Sequence, residues 1–153
     1  MFFRIEPQIF EAAPGLYTGI VAAWNVDNET PQPAVRQLLQ TEVERVAAQP
    51  AGETLFAPYH IALTALGVNP HRYPCSICAM EKRIASQHSF PSISPVVDLG
   101  NYISLRFHIP VGVHDIDTLN GDLVVRLATQ ADCTAPENAQ PADPRRPGEP
   151  VYA

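Results

Sequence analysis

Lysine is nearly absent from this 153-residue chain: Lys82 stands against nine arginines, and with 16 acidic residues the net charge is −6. That balance excludes a protein that grips polyanions through a broad basic face and leaves only local contacts to nucleic acid. Cysteine is scarce as well. Three cysteines, an odd number, do not make a disulfide framework, which agrees with a reducing compartment. No apolar run approaches the roughly 20 residues of a membrane span, and the opening MFFRIEPQIF lacks the basic stretch and apolar core of a secretory signal. The expectation is a cytoplasmic protein with no membrane partner. There is no internal repeat, and no G-x-S-x-G elbow or other nucleophile spacing among the scattered Ser, His and Asp residues.

What is present suits one α+β domain, since 46% hydrophobic content can fill a core at this length. The 16 prolines sit at segment boundaries and in the tail. GLYTGIVAAWNV, residues 15–26, is β-branched and aromatic enough for a strand, which DNETPQP breaks. From Pro33, the positions Val35, Leu38, Leu39, Val43 and Val46 keep a 3.6-residue stripe and predict a helix ending at AQPAG. A second helix carries Ile61, Leu63 and Leu66 and stops at Gly67, which can take a left-handed cap. Pro74 opens a third through about Ser86, and Ser94 with Pro95 reads as N-cap and first turn of a fourth. In that fourth helix Val96, Leu99, Ile103 and Phe107 form the apolar stripe expected to be core, while Asp98 and Asn101 share another face. HIPVGVHDIDTLNG is a turn-rich connection and DLVVRLA, residues 122–128, a strand. The expected division is a domain core over 1–129 and a Pro-rich segment over 130–153, the latter a long loop or the start of a C-terminal part of the same domain.

Three stretches, GVNPHRYPCSICAMEKR, PSISPVVDLGNYISLRFHIPVGVHDIDTLNGDLVVRLA and PGEPVYA, in this order, resemble the B3/B4 module, the tRNA-editing domain of the phenylalanyl-tRNA synthetase beta subunit, and are most similar to its freestanding relatives. The residues that carry the likeness include Pro91, Val96, Val97, Asp98, Asn101, Tyr102, Pro110, His114, Asp117, Gly121, Val125 and Arg126. The resemblance implies a mixed sheet or β-sandwich-like core with packed helices. It also implies a domain that binds the aminoacylated end of tRNA and hydrolyses a mischarged ester in trans, or a module that binds tRNA or an amino acid without turnover. A synthetase or another translation component is the implied protein partner, and neither cofactor nor metal is implied.

Hydrolysis of an ester already activated by its ribose neighbour needs a positioned water, groups that hold the aminoacyl moiety and stabilisation of the oxyanion. No catalytic residue is assigned; Asp98 and Asn101, with Glu149 of the PGE stretch as a water-orienting carboxylate, are the candidates. Asn69, Arg72, Tyr73, Ser94, Asp98, Asn101, His114, Asp117 and Gly121 are the candidate substrate contacts. Each has a second reading. Asp98 and Asn101 can instead bond backbone of a neighbouring loop, His114 and Asp117 can cap turns, and Arg72 can anchor a carboxylate rather than a phosphate. Cys75-x-x-Cys78 has the spacing of half a zinc site, with His71 and His88 within loop reach and Cys133 in the tail. A redox dithiol is a further reading, but the expectation is two small helix residues and no metal; Arg145 and Arg146 can touch phosphate, but the expectation is a solvated pair.

Overall fold

The computed structural model describes residues 2–87, 89–133 and 147–153, with the side chains of residues 131 and 133 outside that description. His88, Arg145 and Arg146 lie outside the described residues, as does the Cys133 side chain. The fold is α+β, with five α-helices and one three-stranded mixed sheet among the described residues. The chain forms two compact units, one of residues 1–19, 61–73 and 115–153, the other of residues 20–60 and 74–114.

The first unit holds the sheet. Strand β1 (Phe3–Ile5) runs parallel to β2 (Leu123–Leu127), and β3 (Pro150–Tyr152) pairs with the other side of β2 antiparallel. Helix α1 (Pro7–Ala12), opened by its proline at the first turn, packs on β2 and buries Ile9. Ala13, Ala128 and Val151 complete this small interior. The central strand is the predicted DLVVRLA, but β1, α1 and β3 carry too short an apolar pattern to be read in advance. The PGEPVYA end of the segment expected as a loop thus supplies a strand, with Val151 buried.

The second unit is built on α2 (Pro33–Ala48), α4 (Ser76–Gln87) and α5 (Pro95–Phe107). Leu39, Val43, Val46, Phe56, Ile77, Ile84 and Leu105 form its core, as the α2 stripe requires. Helix α3 (Ala57–Ala65) follows a 3₁₀ turn (Glu53–Phe56) and ends as expected at Gly67. Gly67 has φ +75°, and Val68 N–H donates to the Leu63 carbonyl at 2.8 Å while Gly67 N–H donates to Thr64 at 3.0 Å, the paired bonds of a left-handed cap.

Two expectations are corrected here. Residues 15–26 form no strand: Tyr17, Ile20, Val21 and Trp24 are exposed, Val21 at 96%, and no strand pairs with them among the described residues. High β-propensity is a preference for a pleated, half-covered surface, and no such surface meets this stretch. The second correction concerns α5. Leu99 is 40% and Phe107 65% exposed, Val96 and Ile103 are only half-buried, and the buried positions are Asp98, Gly100, Ser104 and Leu105. The polar face is inside because its groups are satisfied there: Asp98 accepts from the preceding loop, and the Ser104 hydroxyl donates to the Ile109 carbonyl. One turn before Ser104 lies Gly100, buried too. A Cβ there would lie 3.3 Å from Val113 Cγ2 and 3.5 Å from Val111 Cγ1, so its bare Cα lets the segment after α5 cross close over the helix.

Candidate functional site

Two proline-opened helices bring their first turns to one cleft in the second unit. The cleft has a volume of about 290 Å³ and is lined by Asn28, Glu29, Gln32, Arg36, Ser94 and Asp98 among others, at the small end of the size range of ligand sites. Its shape follows from local bonds. Asp27 Oδ1 accepts the amides of Glu29 at 3.0 Å and Thr30 at 2.9 Å, and the Thr30 hydroxyl and amide hold the Asp27 carboxyl below its usual range. The turn so fixed carries Asn28, whose Oδ1 accepts the Val96 amide at 2.9 Å. Ser94 holds the predicted N-cap position of α5, but its side chain makes no capping bond; Asn28 supplies one from 68 residues away. The Arg36 guanidinium gives the cleft a cation, and Glu29 and Asp98 give it two acids.

Asp98 sits in the wall of this cleft, only 3% exposed, and both its oxygens are engaged. The Ser92 hydroxyl donates to Oδ2 at 2.5 Å and the Ile93 amide to Oδ1 at 2.8 Å. Its carboxylate therefore fastens the loop before α5 to the helix. Asn101 is half-buried on the next turn.

Of the other residues singled out from the sequence, His114 lies in the second unit and is exposed. Asn69, Arg72, Tyr73, Asp117, Gly121 and Glu149 belong to the first unit. Asn69 organises a turn, its Oδ1 accepting the amides of His71 at 2.9 Å and Arg72 at 3.3 Å, and the Arg72 guanidinium lies 5.1 Å from the centre of the Tyr73 ring. Asp117 donates its amide to Asp115 Oδ1 at 3.0 Å, so Asp115 is the turn-capping acid of that loop. Gly121 has φ +101°, a turn conformation that favours glycine. The Glu149 carbonyl accepts the Ala128 amide at 2.7 Å where β3 begins. Cleft and sequence thus agree on Ser94 and Asp98 only.

The sequence reading missed a buried group in the second unit. Glu81, on the apolar stripe of α4 between Ile77 and Ile84, is 4% exposed; its Oε2 accepts the Ala51 amide at 2.9 Å. Its Oε1 lies 2.9 Å from His108 Nδ1, an approach too poorly aligned for a full hydrogen bond, and among the described residues neither atom has a hydrogen-bond partner. His108 ends α5 in the left-handed conformation, φ 55°, and its carbonyl accepts the Tyr59 hydroxyl at 2.9 Å. An acid on an otherwise apolar helix stripe was the available signal. Cys75 and Cys78 lie beside this group and are free thiols; His71 belongs to the first unit. Among the described residues no group of three or more His, Cys, Asp or Glu is placed to hold a metal ion, and no helix is long and apolar enough to cross a membrane.

Residues 59–153, more than half of the chain, match the B3/4 domain family, and the chain belongs to that family. It is also similar to the phenylalanine–tRNA ligase beta subunit of Pectobacterium atrosepticum, 44% identical over 41 residues, which are 27% of this chain and 5% of that subunit. No solved structure matches.

Proposed function

We propose that this B3/4 domain binds the aminoacylated end of tRNA and hydrolyses a mischarged ester in trans, using the cleft at the N-termini of α2 and α5. The family membership, with a stretch 44% identical to a phenylalanine–tRNA ligase beta subunit, carries the reading. The cleft supports it chemically. Arg36 suits a phosphate or a developing oxyanion, and Asn28, Gln32 and Ser94 suit the hydroxyls and amine of an aminoacyl ribose. The vicinal ribose hydroxyl already activates the ester, so a water held by Ser94 Oγ and the Glu29 carboxylate is the remaining requirement, while Asp98 holds the wall. A polar pocket of this kind can separate a side chain with a hydroxyl from one without it by as much as ~10⁴.

Incubation with a panel of misacylated tRNAs tests the reading. Ester loss above the spontaneous rate from at least one member is expected, slowed roughly tenfold or more in Arg36→Ala and Glu29→Gln. A chain that leaves every ester intact yet retains tRNA on a filter is a binding module, a reading that the full engagement of Asp98 favours.

A further inference from the structure

The thiols beside the buried Glu81 are not used by this reading. Cys75 immediately precedes α4, and its carbonyl accepts the Ala79 amide at 3.1 Å, the first bond of the helix. Cys78 is one turn further on, so the two side chains leave the same face, where positions three apart are neighbours. Both thiols are free. Both are half-buried against the core of the second unit. Glu81 follows Cys78 by three residues, on the same face again. One oxygen of this buried carboxylate has no aligned partner, and its near neighbour His108 is 22% exposed, a route from the interior to water.

We propose that Cys75 and Cys78 form a reversible dithiol–disulfide couple that exchanges with small-molecule disulfides, and that Glu81 takes the Cys78 proton as the ring closes. The Cys75 thiolate attacks one sulfur of the disulfide, the other sulfur departs with the electron pair as a thiolate, and that thiolate picks up the proton Cys75 lost. The Cys78 thiol then passes its proton to Glu81 and attacks Cys75 Sγ, expelling the second thiolate, which is protonated in turn from Glu81. One external disulfide is reduced to two thiols and the protein dithiol is oxidised to a disulfide. Burial, then the neighbouring Cys75 side chain, pushes the Cys78 thiol up to about 12, so closing requires a base at that place. The disulfide would link the residue before α4 to the first turn of that helix and needs no movement of other elements.

The test uses the full chain carrying Cys133→Ser, equilibrated in mixtures of reduced and oxidised glutathione, alkylated with N-ethylmaleimide and weighed intact. Both thiols should disappear together in oxidising mixtures with the loss of two hydrogen masses, map to a Cys75–Cys78 peptide, and return in reducing mixtures. Cys78→Ser should instead keep glutathione on Cys75. In Glu81→Gln, glutathione should join Cys75 at the unchanged rate while ring closure slows by roughly ten- to a hundredfold. A Glu81→Gln chain that does not fold is replaced by Glu81→Asp, in which slower closure is again expected. Two cysteines alkylated at every ratio, or each glutathionylated separately without ring formation, would overturn the couple; closure at the wild-type rate in the folded Glu81 variant would overturn the role of Glu81.

Discussion

Both oxygens of Asp98 accept from residues of the loop before its own helix, and hydrogen bonds to a charged group that is out of water are among the stronger ones. Asp98→Ala should therefore cost about 1.5–3 kcal/mol, read from the urea midpoint at unchanged slope, instead of leaving the melting temperature nearly untouched as a pure ligand contact would. A second acid acts at the surface of the first unit. Asp132 Oδ1 and Oδ2 accept from both terminal nitrogens of Arg126, at 2.8 and 2.7 Å, and Oδ2 also takes the amide and hydroxyl of Thr129. The Arg126 guanidinium first, and then Thr129, hold the Asp132 carboxyl far below the usual range. A carboxyl depressed in the folded state contributes in full above its unfolded value of about 4, and that contribution is lost as pH falls toward the folded value. Urea midpoints measured from neutral pH down through the acid range should fall more steeply in the wild type than in Asp132→Asn, with the difference largest at neutral pH. Neither pairing was legible: a carboxylate's partner is set by tertiary position, and residues 130–153 have the composition of a tail.

At the scale of the element, α5 separates hydrophobic from buried. Its large apolar side chains are spaced as a stripe, yet the contact with the core is made by the face carrying Asp98, Ser104 and Leu105. Leu105 is fully buried and Leu99 40% exposed. Leu105→Ala should cost about 2–5 kcal/mol, whereas Leu99→Ala should cost about 1 kcal/mol or less, the reverse of the ranking the stripe implies. Denaturant melts of the two variants side by side decide it. Helix α2 and the cap at Gly67 were readable because one local rule governs each: an unbroken 3.6-residue stripe, and the conformational freedom of glycine. The burial of the α5 polar face was not, since it depends on Ser92, Ile93 and Ile109 lying where they can satisfy Asp98 and Ser104. The same limit applied to the strand expected at 15–26, because a strand is a relation between two segments.

For the whole molecule the charge balance constrains any encounter with tRNA. At net charge −6, and with Arg36 the cation lining the cleft, few phosphates can be neutralised at once, and log affinity falls by roughly 0.7 per neutralised single-strand phosphate per decade of salt. A filter-binding titration should give a slope no steeper than about −2. The candidate site was legible in part: Ser94 and Asp98 line the cleft, but Asn28 came from a stretch whose only sequence signal was a turn, Arg36 from the polar side of a predicted helix, and five of the expected contacts, with Glu149, fold into the other unit. The exposed stretch from Tyr17 to Val26 has a further consequence. Among the described residues no acceptor takes its amide protons. In deuterated buffer these amides should exchange at the rate of an unstructured peptide, within the dead time of a manual experiment, while those of Val43, Ile84 and Leu105 wait for the opening of the helical core. The stretch would thus serve as an internal gauge of coverage: any ligand or protein that lays its own backbone against residues 17–26 should announce itself by slowing exchange there before it changes anything else.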